Sequence, residues 1–242
     1  MVSDGEIRVD VDGAVATLLI DNPGKRNALT AAMWTAVPEH LSALAADPAV
    51  KVLVVAGAGG TFSAGADLDD AATIAAAGED SVAVHAERAL AAFPKPVIAR
   101  IDGFCVGGGC QLAVACDLRF AASDSRFGVT PAKLGIVYPP STTRRLAALV
   151  GPARAKLLLF TGDLIDAATA ERIGLVDTVA PAADLAALVQ ATATTIAARS
   201  QHSVRSAKAI IDGSDGAAPH DPAEVAEGIA AFRERRAPRW MD

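Results

Sequence analysis

Apolar positions along the chain form two kinds of pattern. Short, mostly apolar runs without alternation, such as KVLVVAG at 51–57 and PVIARI at 96–101, predict strands that are covered on both faces. Amphipathic stretches between such runs, such as DSVAVHAERALAAF at 80–93, predict helices. From about residue 184 the pattern is helical alone. We therefore expect an α/β body over residues 1–183 and a helical segment over residues 184–242.

Two local signals refine this pattern near the N-terminus. The turn Asp12-Gly13 separates two β-type runs and predicts a hairpin. Thr30 is expected to cap a helix over TAAMWTAVPEHLSALAAD at 30–47. Pro38 lies inside that segment and is expected to kink or split the helix, because proline has no amide hydrogen to donate.

Composition and charge narrow the classes of function. Hydrophobic residues make up 52% of the 242 residues, which is ample for a core, and the formal net charge is −6. A chain with an acidic balance is a poor partner for nucleic acid. The first residues lack an apolar signal region, and no apolar run approaches the ~20 residues of a membrane span. We therefore expect a cytoplasmic protein with no membrane partner.

The cysteines predict structure rather than metal chemistry. Cys105, Cys110 and Cys116 lie close together, with spacings that match no zinc site. We expect reduced thiols that are buried as small hydrophobic side chains, and no metal site.

Two glycine-rich turns are the first chemical signal. The stretch GFCVGGGCQLAVACD at 103–117 follows a predicted strand and leads into a helix, and GAGGTFSAGADL at 57–68 follows another. Unpartnered N–H groups at the start of a helix attract anions, and glycine lets a ligand approach the backbone. Two such turns could direct two N–H groups at one oxygen, as an oxyanion hole requires. Alternatively, the glycines at 107–109 only permit tight packing against a neighbour.

The same turns belong to a longer series of motifs. In order, these are NPGKRNAL at 22–29, KVLVVAGAGGTFSAGADL at 51–68, FPKPVIARIDGFCVGGGCQLAVACDLRFAA at 93–122, FGVTPAKLGIVYP at 127–139 and TGDLIDAATAERIGLVD at 161–177. The series resembles the crotonase, or enoyl-CoA hydratase/isomerase, superfamily over nearly the whole chain. The resemblance implies a spiral of β-β-α units with a C-terminal helical trimerisation segment. It also implies an acyl-CoA substrate, no tightly bound cofactor, and a homotrimer or a homohexamer built from two trimers.

The resemblance also assigns roles to individual residues. The two oxyanion N–H groups would belong to Ala66 and Gly108. Lys25 and Arg26 would lie near the phosphates of coenzyme A, unless they are solvated loop charges. Ala64, Asp67 and Leu68 would line the adenine and pantetheine path, and Ala28, Ala66 and Gly108 are also expected among the residues that bind coenzyme A. Asp67 is also expected to cap the segment that follows it.

The chain departs from the family pattern at both hydratase glutamates. Gln111 stands where the first is expected and Pro131 where the second is expected. Neither side chain can exchange a proton, which general acid–base catalysis requires. Ordinary hydration therefore loses both of its usual groups. Asp69 and Asp70 are weak candidates for a substitute acid, and His85 is more typical of a partly buried or surface histidine than of a base.

The segment TPAKLGIVY at 130–138 resembles the corresponding segment of methylmalonyl-CoA decarboxylases. In those relatives a Thr-Pro pair and a tyrosine flank the substrate carboxylate, and Thr130, Pro131 and Tyr138 match that spacing. Decarboxylation needs no base, because the departing CO₂ leaves its electrons behind. Tyr138 could orient the carboxylate or supply a proton, or it could be a core aromatic residue. Those decarboxylases tend to carry histidine and glutamate where this chain has Ala66 and Gln111.

Three hypotheses for function remain after these comparisons of motifs. The first is a lyase that decarboxylates a malonyl-type CoA through an enolate held in the oxyanion hole, with Ala66, Gly108, Gln111, Thr130, Pro131 and Tyr138 in the catalytic site. The second is an enoyl-CoA hydratase or isomerase with a substitute acid. The third is a protein that binds acyl-CoA without catalysis. A dinucleotide site is disfavoured because the full G-x-G-x-x-G pattern is absent.

Overall fold

The computed structural model describes residues 5–214 and 219–240. The strands are β1 (Glu6–Asp12), β2 (Val15–Asp21), β3 (Val52–Gly57), β4 (Val97–Ile101), β5 (Phe104–Val106), β6 (Leu118–Ala122), β7 (Arg126–Gly128), β8 (Ile165–Asp166) and β9 (Thr178–Ala180). The helices are α1 (Ala31–Ala46), α2 (Leu68–Ala76), α3 (Val82–Ala91), α4 (Gly108–Ala115), α5 (Pro131–Leu134), α6 (Pro140–Val150), α7 (Pro152–Thr161), α8 (Ala167–Arg172), α9 (Ala182–Ala197), α10 (Gln201–Ile211) and α11 (Pro222–Glu234).

A six-stranded sheet forms the centre of the fold, with strands in the order β1-β2-β3-β4-β6-β9. The first two strands form the expected antiparallel hairpin around Asp12-Gly13, and every other neighbouring pair in this sheet is parallel. All six residues of β3 are buried, because helices cover both faces of the sheet. The mixed α/β class expected from the sequence is confirmed.

The two faces of this sheet carry separate apolar clusters. On one face, residues of β2, β3 and β4 pack with α1, α3 and α4. On the other face, Val54 and Ile98 of the sheet pack with Leu185 and Val189 of α9. The helix α9 therefore covers the sheet directly, although it lies almost entirely beyond residue 183. The division of the chain at residue 184 stays a prediction.

A second sheet of three short strands, in the order β5-β7-β8, lies beside the first. The sequence pattern did not predict these strands, because runs of two or three residues show no periodicity. The pairing of β5 with β7 brings the segments that follow these two strands together. Val106 pairs with Gly128, and the Gly107 amide donates to the Gly128 carbonyl at 2.9 Å. This small sheet positions the start of α4 against the segment that follows β7.

The helix α1 runs unbroken from Ala31 to Ala46 with Pro38 inside it, so the helix is not split there, and the alternative of a kink stays a prediction. Thr30 caps this helix as expected, and its hydroxyl accepts a hydrogen bond from the Met33 amide. Trp34 and Val37 before the proline, and Leu41 after it, are each at most 3% exposed. Packing on both sides of the proline compensates for the hydrogen bond that it cannot make.

The helices α10 and α11 follow α9 at the end of the chain. The Lys208 ammonium group of α10 donates to the Asp117 carboxylate at 2.8 Å, which attaches this helix to the α/β body. Ile211 and Phe232 are 83% and 86% exposed, so this segment presents apolar side chains to its surroundings. None of the helices within the described residues is long and apolar enough to span a membrane.

Candidate active site

A cavity of about 120 Å³ lies between α2, α3, the start of α4 and the segment from Thr130 to Pro139. Most of the side chains that line it are apolar. Among the expected site residues, the cavity is lined by Ala64, Ala66, Leu68, Gly108, Gln111, Thr130, Pro131 and Tyr138. The fold thus brings together residues from three separate motifs of the sequence.

The amides of Ala66 and Gly108 meet at one wall of this cavity. A Cβ atom on Gly108 would lie 3.4 Å from the Ala66 nitrogen, and a Cβ atom on Gly65 would lie 3.2 Å from the Gly108 nitrogen. Within the described part of the chain, neither of these two N–H groups donates a hydrogen bond. Two unpartnered N–H groups beside the same small space have the arrangement of an oxyanion hole.

Hydrogen bonds hold the turn that carries Ala66 on both sides of this residue. The Leu29 amide donates to the Gly65 carbonyl and the Asp67 amide donates to the Leu29 carbonyl, both at 2.8 Å. The Ser63 hydroxyl donates to the Asn27 carbonyl at 2.7 Å and accepts from the Gly65 amide at 3.1 Å. These bonds fix the backbone on both sides of Ala66 and leave its N–H group available.

The three consecutive glycines have different structural roles. Gly107 has a φ of +57°, in the region that favours glycine. A Cβ atom on Gly108 would lie 2.8 Å from the Trp34 ring, and one on Gly109 would lie 2.6 Å from the Ser63 Cβ. Both interpretations of the glycine stretch therefore apply, because Gly109 permits tight packing and Gly108 keeps the donor pair open.

Two hydroxyl groups lie beside the donor pair. A Cβ atom on Gly107 would lie 3.7 Å from the Tyr138 hydroxyl and 3.8 Å from the Thr130 hydroxyl. Burial raises the pKa of Tyr138, so this phenol is neutral at physiological pH. Its hydroxyl group makes no hydrogen bond to the described residues, unlike a core tyrosine whose hydroxyl is satisfied by the backbone.

The remaining expected ligand residues lie outside the cavity wall. The Lys25 ammonium group contacts the carboxylates of Asp67 at 2.7 Å and Asp69 at 3.0 Å. Hydrogen bonds to these two groups, with Asp67 first, raise the pKa of Lys25 to about 12. The Arg26 guanidinium lies 5.7 Å from the centre of the Phe104 ring, and Ala28 is 8% exposed. Asp67 caps α2, as expected, by accepting from the Asp69 amide.

Comparison with known proteins identifies the family. The family model for enoyl-CoA hydratase/isomerase matches residues 10–214. The chain belongs to the enoyl-CoA hydratase/isomerase family. It is 34% identical over 249 residues to the "Probable enoyl-CoA hydratase echA8" of Mycobacterium tuberculosis, with 97% of each protein covered. It is 38% identical over 207 residues to the "Crotonyl-CoA hydratase" of Syntrophomonas wolfei, with 84% of this chain and 80% of that protein covered.

Solved structures confirm the fold of this family. A crystal structure of an enoyl-CoA hydratase/isomerase family member aligns with a TM-score of 0.93 and 37% identity, covering 99% of this chain and 98% of that one. A family protein from Hyphomonas neptunium aligns with a TM-score of 0.87 and 38% identity, covering 97% of both chains. The resemblance to the superfamily is thereby confirmed, whereas the closer resemblance to methylmalonyl-CoA decarboxylases stays a prediction.

Gln111, which the resemblance places where a hydratase glutamate is expected, offers the cavity a donor and no acid. The Gln111 amide nitrogen is buried and has no hydrogen-bond partner among the described residues, and the same holds for the Trp34 indole nitrogen. Both residues line the cavity. Buried donors without a partner are costly, so a bound ligand that accepts hydrogen bonds would relieve this cost.

Glu87 is a site residue that the sequence analysis missed. It lies on α3, is 1% exposed and lines the cavity together with Gln111 and Tyr138. One oxygen, Oε2, accepts from the Thr142 hydroxyl at 2.7 Å and from the Arg145 guanidinium at 3.3 Å. Burial raises the pKa of Glu87 to about 7, against the opposing effects of Thr142 and Arg145.

A sequence signal for Glu87 existed. Val84, Glu87 and Leu90 are spaced three residues apart and are all buried on one face of α3. A carboxylate inside an apolar stripe is unusual, because buried acids are rare unless they are paired or functional.

The cysteines follow the expectation, since Cys105, Cys110 and Cys116 are all free and buried. No group of three or more metal-binding side chains occurs in the part of the chain that the structure describes.

Proposed function

We propose that this protein acts on an enoyl-CoA thioester through an enolate whose oxygen lies between the amides of Ala66 and Gly108. The observation that carries this proposal is the meeting of two unpartnered N–H groups at the wall of a mostly apolar cavity. The names of relatives such as the "Crotonyl-CoA hydratase" of Syntrophomonas wolfei support the class of substrate.

The physical basis is electrostatic. Formation of an enolate moves negative charge onto the thioester oxygen, and two fixed donors stabilise that charge without having to reorganise. Loss of one such donor in a well-studied hydrolase costs about 2.7–4 kcal/mol of transition-state stabilisation. The effect is larger in an apolar site than in water, because the local dielectric is lower. The apolar lining of this cavity therefore supports the same role for its two donors.

The lining of the cavity favours an enoyl-CoA over a malonyl-type CoA. No lysine or arginine is among the described residues that line it, and Glu87 is. The second carboxylate of a malonyl-type substrate would meet no cation there, and a buried charge without a partner is costly. Decarboxylation remains the second candidate, because the Thr130 and Tyr138 hydroxyls lie together beside Gly107.

Four further expectations are kept as proposals. Arg26 and Lys25 would approach the phosphates of coenzyme A at the outer end of the site, where both side chains are exposed. The exposed apolar side chains of α10 and α11 would be covered in a homotrimer or in a homohexamer of two trimers. No tightly bound cofactor would be required, and the protein would act in the cytoplasm.

The test is incubation of the pure protein in D₂O with crotonyl-CoA, a 3-enoyl-CoA and methylmalonyl-CoA, each in a separate reaction. We expect a hydrated or isomerised product from an enoyl-CoA. Hydration would place deuterium on the carbon next to the carbonyl, whereas isomerisation of the 3-enoyl-CoA would move the double bond without adding deuterium at that carbon. Propionyl-CoA from methylmalonyl-CoA, with no change of the enoyl-CoAs, would instead support the decarboxylase. Tight binding without any product would refute both enzymes and support a protein that only binds acyl-CoA.

A further inference from the structure

Glu87 combines burial, fixed geometry and access to the cavity. Thr142 and Arg145, both on α6, hold its Oε2 atom. The other oxygen, Oε1, accepts no hydrogen bond from the described residues, and the side chain lines the same cavity as Ala66 and Gly108. One oxygen is thus anchored by the protein, and the other is available to a ligand.

We propose that Glu87 is the catalytic acid–base group of this site, and that it transfers one proton between two carbons of a bound enoyl-CoA. This inference rests on the proposed function, since it needs the thioester to be held by the two amides. It makes isomerisation of a 3-enoyl-CoA to a 2-enoyl-CoA the reaction that the site fits best.

The titratable side chains that line the cavity support proton transfer by a single group. Glu87 and Tyr138 are the titratable side chains among the described residues that line the cavity, and burial keeps Tyr138 protonated. The positions of the two hydratase glutamates hold Gln111 and Pro131, which cannot exchange protons. Hydration must activate water and also protonate carbon, whereas isomerisation needs one group that accepts a proton and returns it.

The chemical step balances with this one carboxylate. Glu87 removes a proton from C2 of the 3-enoyl-CoA, and the electrons of that C–H bond form a C1–C2 double bond while the carbonyl pair moves onto the thioester oxygen. The Ala66 and Gly108 amides stabilise this dienolate. The oxygen pair then restores the carbonyl, the double bond shifts to C2–C3, and the protonated Glu87 gives the same proton to C4. Nothing is oxidised, reduced or consumed.

Burial and the surrounding groups together place the pKa of Glu87 near neutral pH. Burial is the main effect and raises its pKa to about 7, with a further small rise from Glu79. Thr142, Arg145 and Arg88 act in the opposite direction. The other titratable groups that face it are Tyr138 in this cavity and Cys110, which lines an adjoining small cavity with Glu87. A base with a pKa near the working pH is the most effective.

The experiment compares wild type with Glu87→Gln and Glu87→Asp, and with Glu39→Gln as a matched control on the exposed side of α1. A 3-enoyl-CoA is the substrate, and conjugated product is followed by chromatography. We expect Glu87→Gln to lower kcat at least about 100-fold with little change in KM. Glu87→Asp should recover part of the rate, and Glu39→Gln should match wild type. The wild-type kcat should rise with pH and level off above about 7.

Each alternative outcome has a distinct meaning. An inactive wild type on every enoyl-CoA would overturn the proposed function, and with it this inference. An active wild type with a Glu87→Gln variant that keeps kcat within about tenfold and the same pH profile would overturn the role of Glu87 alone. Wild-type hydration of crotonyl-CoA that is faster than isomerisation would overturn the assigned reaction. Thermal melting and crotonyl-CoA binding by each variant separate lost chemistry from lost folding.

Discussion

Burial of the Glu87 carboxyl group has a consequence for stability that can be measured without any substrate. Its pKa is about 7 in the folded protein and 4.5 in an unperturbed glutamate. The folded protein therefore holds this proton more tightly than the unfolded chain does. The resulting contribution to stability is fully present below pH 4.5 and is lost as the pH rises through about 7.

The magnitude follows from the difference between the two pKa values. Each pKa unit corresponds to about 1.4 kcal/mol, so the change from 4.5 to about 7 amounts to about 3 kcal/mol. Glutamine has nearly the same shape and no charge at any pH. The Glu87→Gln variant should therefore gain about 3 kcal/mol in unfolding free energy relative to wild type as the pH rises from 4.5 to above 7.

The assay is urea unfolding of both proteins at a series of pH values and at one protein concentration. Trp34 is fully buried, so tryptophan fluorescence reports the transition. The difference between the two proteins at each pH cancels the titration of all other groups that Glu87 does not contact. The difference in unfolding free energy could instead stay constant with pH or change in the opposite direction. Either result would refute the conclusion that burial destabilises the charged form of Glu87.

Three other substitutions test separate parts of the structure. Gly108→Ala places a methyl group 2.8 Å from the Trp34 ring and between the two amides, so kcat/KM for an enoyl-CoA should fall at least about 100-fold; a rate near wild type would contradict the oxyanion assignment. Asp67→Ala removes the cap of α2 and one of the two carboxylate partners of Lys25. It should lower the unfolding free energy in urea by about 1 kcal/mol, whereas an unchanged midpoint would show that the cap contributes nothing. Phe232→Glu replaces an exposed apolar side chain of α11 with a charged one. If this helix forms the subunit interface, the molar mass measured by light scattering should fall. An unchanged mass would exclude that role.

Elements whose pattern is local could be predicted from the sequence. The strand β3 is apolar at every position because it is covered on both faces, and the hairpin at Asp12-Gly13 follows from two residues. Ala66 and Gly108 were assigned from glycine-rich turns and from the order of the family motifs, and the structure places both at one cavity wall. The helix is not split at Pro38, because buried neighbours, which a local rule ignores, hold it together.

What the sequence by itself determined was therefore the α/β class and the family, since each follows from neighbouring residues or from ordered motifs, whereas the role of the Ala66 and Gly108 amides stays a prediction. Only the tertiary structure decided that β5 and β7 pair and that Glu87 is buried at the cavity. The groups that fix Glu87, Thr142 and Arg145, lie more than 50 positions away along the chain. The state of a carboxyl group depends on what surrounds it in space, because desolvation and charge act through distance and not through sequence.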